Sequence, residues 1–242
     1  MPRMLPVLFN TEMVRAILDG RKTVTRRLIK PQIQYFYNCI MGEPRPIKGN
    51  IYSVRMPDNS FGEIKPKWNV GDILYVRETW TKENSEYFYR ADFDSDWLSP
   101  CETLSGGYPY DCSYHPGCEG CSRGPCRIGW HPSIHMPKDA ARIFLRVKDV
   151  RAERLQSIDD AQAKAEGICG FWLGDGESGY AVNADGNTFY DGPIGAFSHL
   201  WDSTIKPADL DTYGWKANPW VWVIEFERIS RKEAEREGGT NA

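Results

Sequence analysis

Lys22, Thr25 and Arg27 lie within Gly20-Arg-Lys-Thr-Val-Thr-Arg-Arg27, a spacing that can bring an amine, a hydroxyl and a guanidinium together. A hydroxyl is a poor nucleophile at neutral pH and attacks an acyl carbon only when an adjacent base takes its proton. Lysine serves as that base if desolvation or a neighbouring cation lowers its pKa. Arg26 and Arg27 push in that direction, whereas a close Glu78 would push the other way. Read without chemistry, the same run is a solvated basic edge in which Thr25 is an ordinary strand residue.

Glu78 belongs to Gly71-Asp-Ile-Leu-Tyr-Val-Arg-Glu-Thr-Trp80, where Leu74, Val76, Glu78 and Trp80 alternate onto one strand face. A carboxylate in that company is desolvated, which is unfavourable unless a cation or donor meets it. The plainer reading is a structural ion pair.

A third cluster is Cys112-x5-Cys118-x2-Cys121-x4-Cys126, four thiols at short loop spacing with Gly117, Gly120 and Gly124 between them. Four soft ligands suit tetrahedral zinc, and a closed shell makes that zinc structural, not catalytic. Cys101, His115 or His131 could replace one ligand, and free thiols in an acidic loop are the alternative. Metal binding would provide the folding energy that this polar loop lacks.

The elements that must position these residues read as follows. Asn10 caps a helix over about residues 11 to 19, with Gly20 as its left-handed stop. Thr23 to Ile29 is β-branched and alternates, with Thr25 and Arg27 on one face and Val24, Arg26 and Leu28 on the other. Residues 31–69 are proline-interrupted and read as an irregular insertion with short β pieces, and 81–131 as a second, Cys-rich insertion. Ala141 to Val150 reads as a long strand, and Ser157 with Asp160 as a capping box opening a helix that ends at Gly167. Residues 170–192, rich in Gly, Asp and Asn, read as a mobile loop. A helix starts at Pro193, and Asn218 to Glu227 forms a closing strand with Trp220 and Trp222 in the core. The mixed-charge residues 231–242 are expected to be a disordered tail, so residues 1–230 form one domain carrying three insertions.

The whole chain excludes some classes of function. Its 242 residues are 41% hydrophobic and 26% charged, with 30 Lys+Arg against 33 Asp+Glu, which argues against a polycation that coats nucleic acid. No apolar run is long enough for a spanning helix, and no signal-like apolar core follows Met1-Pro-Arg-Met-Leu-Pro6, so a cytoplasmic setting is expected. The basic charge that exists is local: the first 31 residues hold seven basic side chains against Glu12 and Asp19.

The pattern Gly20-x-Lys22-x-x-Thr25-x-Arg27 followed by Gly71-Asp-x-Leu-Tyr-Val-Arg-Glu78-Thr-Trp80 resembles the ASCH domain family, relatives of the PUA RNA-binding fold. Ser133 to Pro137, Arg154 to Ile158, Glu166-Gly167 and Asn218 to Trp222 are similar to phage- and prophage-encoded members. The resemblance covers about half of the chain and implies a mostly β, bent PUA-like barrel with short flanking helices and a cleft for a nucleobase or nucleotide. Some bacterial members remove the acyl group from N4-acetylcytidine. By that resemblance Thr25 is the nucleophile, Lys22 its base, and Glu78 orients the lysine or the leaving amine. Other members bind RNA. For that alternative the candidate contacts to RNA or a single strand are Arg26, Arg27, Arg77 and Arg142, with Trp80 stacking and His135 at the cleft wall. The resemblance implies no organic cofactor, and a bacterial host cytoplasm if the chain is phage-encoded. The long insertions set it apart from the small amidohydrolase members.

Overall fold

A computed structural model describes residues 2–29, 44–48, 51–55, 59–83, 85–93, 130–174, 177–182 and 188–238. The described chain is mostly β with a few short helices, and none of those helices is long and apolar enough to cross a membrane. It divides into two compact units, one of residues 1–5, 16–74 and 143–242, the other of 6–15 and 75–142.

The first unit is organised by a five-stranded sheet of order β1-β6-β9-β12-β2, in which β1 (Met4–Leu8) and β6 (Ile73–Arg77) run on into the second unit. β12 (Trp220–Ile229), fourth in that order, is antiparallel to both β9 (Phe144–Arg154) and β2 (Val24–Leu28). These strands are rich in β-branched and aromatic residues, and Leu145, Val147, Val221, Val223 and Ile224 are buried, which is the apolar burial that drives the sheet to form. The three expected strands are present, with β2 inside its segment, whereas β9 and β12 each begin and end a few residues later than the expected 141–150 and 218–227. Among the described residues no sheet closes into a barrel.

Residues 31–69 contribute a meander, β3 (Arg45–Lys48), β4 (Ile51–Arg55) and β5 (Phe61–Ile64), with Tyr52 edge-on to Trp222 at 5.2 Å. The helix of residues 11 to 19 is present as α1 (Thr11–Leu18). The next helix, α2 (Asp160–Ala165), starts two residues later than its Ser157 signal. Asp159 is the cap, its side chain accepting from the Gln162 N–H while Gln162 reaches back to the Asp159 N–H.

Where residues 170–192 were expected to be a mobile loop, the described part pairs β10 (Cys169–Gly174) antiparallel to β11 (Glu177–Ala181), with a further bridge from Tyr180 to Tyr190. The backbone pairing satisfies groups that a loop would leave to water. Helix α3 (Pro193–Ser203) begins at the proline and buries Phe197, Leu200 and Trp201; α4 (Leu210–Tyr213) follows.

Of the residues 231–242 expected to form a disordered tail, 231–237 form α5 (Arg231–Glu237), and 239–242 lie outside the described residues. Ser230 and Glu233 make a reciprocal capping box, Ala234 is fully buried, and Arg146 on β9 pairs with Glu237 at 2.7 Å. A cap and a docked face outweigh the lack of an apolar stripe.

The second unit contains β7 (Trp80–Glu83) and β8 (Glu86–Tyr89), an antiparallel hairpin, and short 3-10 turns at Arg90–Asp92, Ser133–His135 and Lys138–Ala140. The loop carrying Cys101 and the proposed metal ligands Cys112, Cys118, Cys121 and Cys126 lies outside the described residues.

Candidate functional site

Lys22 is set in place by its backbone on both sides. Gly20, at φ +76°, turns the chain out of α1, and the Lys22 N–H donates to Ala16 O at 2.9 Å. Lys22 also forms an isolated antiparallel bridge with Glu166, directly after α2, and the Thr23 N–H donates to Ala165 O at 2.9 Å. Two residues paired across such a bridge project to the same side, so the Lys22 amine and the Glu166 carboxylate must meet.

They do so without water. Lys22 Nζ donates to Glu166 Oε2 at 2.6 Å and to Glu166 O at 2.8 Å, and both side chains are almost completely buried. Arg26, also buried, donates to the second oxygen of the same carboxylate at 3.1 Å and to Gln162 Oε1 at 2.8 Å. Its Nη2 lies 3.8 Å from Glu153 Oε2, and its guanidinium carbon sits 5.7 Å from the Phe197 ring centroid. Glu153 in turn pairs with Arg151, which also holds Asp149 and Glu225. A row of alternating charges thus crosses one face of β2, β12 and β9, from Lys22 to Arg151.

Burial holds the Lys22 pKa below the ordinary lysine value; Glu166 opposes this, while Arg27 and Arg26 add to it. Burial likewise lowers Arg27, against the attraction of Glu166. Removing one partner from a buried charge group of this kind costs about 3–5 kcal/mol, because the remaining charge has no water to turn to.

Thr25 is buried and its backbone pairs with Ile224. In a regular strand it faces away from its neighbour Arg26, as the alternation of residues 23 to 29 predicts. The lysine that was to activate it is hydrogen-bonded on the Arg26 side.

Glu78, Arg77, Trp80, His135 and Arg142 belong to the second unit. Glu78 is 1% exposed and accepts both Nε and Nη2 of Arg142, at 2.9 and 3.0 Å. Arg142 also donates to Asp92 at 2.7 Å and lies 4.0 Å over the Tyr89 ring, whose hydroxyl donates to Ala140 O. The cation that a desolvated Glu78 requires is therefore Arg142. Burial still leaves the Glu78 carboxyl above its usual range, with Arg142 pulling it down and Asp92 pushing it up. Arg142 is raised in return: its bonds to Glu78 and Asp92 outweigh the lowering effect of its own burial.

Arg77 donates to Ile134 O at 3.1 Å. Trp80 sits between Tyr87 at 5.7 Å and His131 at 5.0 Å, with its indole N–H buried and no partner for it among the described residues. His135 is exposed.

Glu166 is the residue that sequence reasoning did not assign to the site. Its signals were its place before Gly167 at a helix exit and the Glu166-Gly167 segment of the resemblance, and nothing in the sequence joins it to Lys22. No group of three or more His, Cys, Asp or Glu suited to a metal occurs among the described residues. Comparisons with protein-family models, curated proteins and solved structures returned no match for this chain.

Proposed function

We propose that the chain is a nucleobase- or nucleotide-directed hydrolase of ASCH, PUA-like type that removes the acyl group from an N4-acylated cytidine-type nucleoside. The observation that supports this reading is Lys22: a lysine sealed from water, its pKa held down, three residues from a buried threonine. In the proposed reaction Thr25 Oγ attacks the amide carbonyl and its proton passes to Lys22 as the neutral amine. The C–N bond then breaks, the nucleoside amine leaves with the proton from Lys22, and water hydrolyses the acyl-threonine. In the first step the lysine exchanges its bond to Glu166 for one to Thr25 Oγ. The Cys-rich loop is proposed to hold a structural zinc.

The second reading is an RNA or single-strand binding module, favoured by the aromatic group of Trp80, Tyr87 and His131. Its phosphate contacts are less well supported, since Arg26, Arg77 and Arg142 already donate to acceptors within the protein. Two assays separate the readings: turnover of N-acylated cytidines by wild type, Lys22→Ala and Thr25→Ala proteins, and binding of a single-stranded RNA across a salt series. Hydrolysis lost in both variants with weak RNA binding is the expected result. Absent turnover with affinity falling steeply as salt rises would transfer the assignment to the second reading.

A further inference from the structure

The group that decides what Lys22 can do is not among the residues that the proposed mechanism uses. Glu166 divides its carboxylate, Oε2 to Lys22 and Oε1 to Arg26, and its carbonyl takes a second bond from Lys22. Its backbone is fixed by the bridge to Lys22 and by N–H bonds to Gln162 O and Ala163 O at the end of α2. Gly167 follows at φ +107°, and a Cβ there would meet Lys22 Cβ at 3.4 Å, so the lysine stem and the helix exit are in contact. Arg26 cannot drift from this carboxylate, since Gln162 holds it from α2 and Glu153 stands beside it from β9.

We propose that Glu166 is the positioning residue of the Lys22 site, a carboxylate clamped by Arg26 and the α2 exit that fixes where the amine lies. This rests on the hydrolase reading for its consequence in catalysis, but not for its test. The charged groups facing Lys22 are Glu166 from the α2 exit and Arg26 and Arg27 from β2. Removal of the carboxylate leaves burial and two cations, all of which favour the neutral amine. Removal of Arg26 leaves Glu166 to Lys22 and takes away one cation, so it favours the ammonium. The two changes must act with opposite sign, a signature that loss of packing would not produce.

The experiment is an NMR titration of the lysine side-chain amines in the full chain, with Lys22 assigned by its loss in Lys22→Arg. Glu166→Gln should lower the Lys22 midpoint by about one to three pH units, the usual effect of losing an opposite charge at contact distance. Arg26→Met should raise it, and Glu166→Asp, which keeps the charge, should restore much of the wild-type value. If Glu166→Gln does not fold, the Arg26→Met and Glu166→Asp titrations decide. An unmoved or falling midpoint in Arg26→Met, or a midpoint in Glu166→Gln at or above wild type, would overturn the assignment. Should the wild type lack deacylase activity, the hydrolase reading fails while the midpoints still report on Glu166. Where activity is present, Glu166→Gln should shift the acid limb of the kcat profile to lower pH with KM little changed.

Discussion

Replacing Gly167 with alanine tests how closely α2, α1 and the Lys22 stem are fitted together. At φ +107° an L residue is strained, and the added Cβ would lie 2.9 Å from Ala16 Cβ, a contact neither backbone can relieve by rotating a side chain. The backbone strain costs about 1–2 kcal/mol, and forcing an extra methyl into a filled space adds about 1–3 kcal/mol. Gly20 is the internal reference: φ is +76° but nothing lies within 4 Å of its Cβ position, so Gly20→Ala carries the strain without the collision. Gly167→Ala should therefore lose about 1–3 kcal/mol more than Gly20→Ala, a further fall in Tm of about 2–12 °C at about 2–4 °C per kcal/mol. Thermal and urea unfolding of both variants measure the difference. Ala16→Gly added to Gly167→Ala removes the atom that is struck and should recover part of the extra loss. Equal losses in the two single variants would refute the packing described between Gly167, Ala16 and Lys22.

Further outcomes can be checked directly. Asp72 is buried and accepts from the Arg3 backbone and side chain and from the Asn69 N–H. Burial alone would raise its carboxyl, but these bonds and the Arg3 charge hold it below the usual range. Its stabilisation is therefore full above about pH 4 and lost as pH falls through the native value. Asp72→Asn should cost about 1–3 kcal/mol at neutral pH and much less near pH 3, read from urea midpoints at each pH. Glu78 behaves with the opposite sign: its native carboxyl lies above the usual range, so wild-type stability declines as pH rises from about 4.3 through the native value. The stability gap between wild type and Glu78→Gln should narrow over that rise; a widening gap would contradict the desolvated site. Ser230→Ala should cost about 0.5–2 kcal/mol and loosen α5, seen as faster amide exchange at residues 231–237, because it removes the cap. Protein purified without chelator should carry one zinc per chain, lost when Cys118 and Cys121 are both replaced by serine.

What the sequence made legible were the elements with strong local signals. Asn10 and Gly20 bracket α1, Pro193 opens α3, and of the two tryptophans assigned to the core on β12, Trp222 is buried while Trp220 is half-buried. The sequence also placed Glu78 on a buried face and required a cation for it, but only the fold shows that cation to be Arg142, 64 residues away. The hairpin of β10 and β11 was hidden because Gly, Asp and Asn dominate the segment, whereas its strands are fixed by the Tyr180 to Tyr190 bridge and by docking of α3. α5 was hidden because its stability comes from a cap and from Arg146 on a distant strand. The principal omission, Glu166, follows the same logic: 144 residues separate it from Lys22, and the pairing exists only after α2 has delivered its C-terminal end to β2.

The most direct test of the central claim is to look for the covalent intermediate. Wild-type protein mixed with excess N4-acetylcytidine is acid-quenched at early times, and its intact and peptide masses are read. The account predicts a gain of one acetyl group on the peptide containing Thr25, present in wild type, absent in Thr25→Ala and absent or slowed in Lys22→Ala. Free cytidine produced at an undiminished rate by Thr25→Ala, or an acetyl group carried on any other residue, would contradict it.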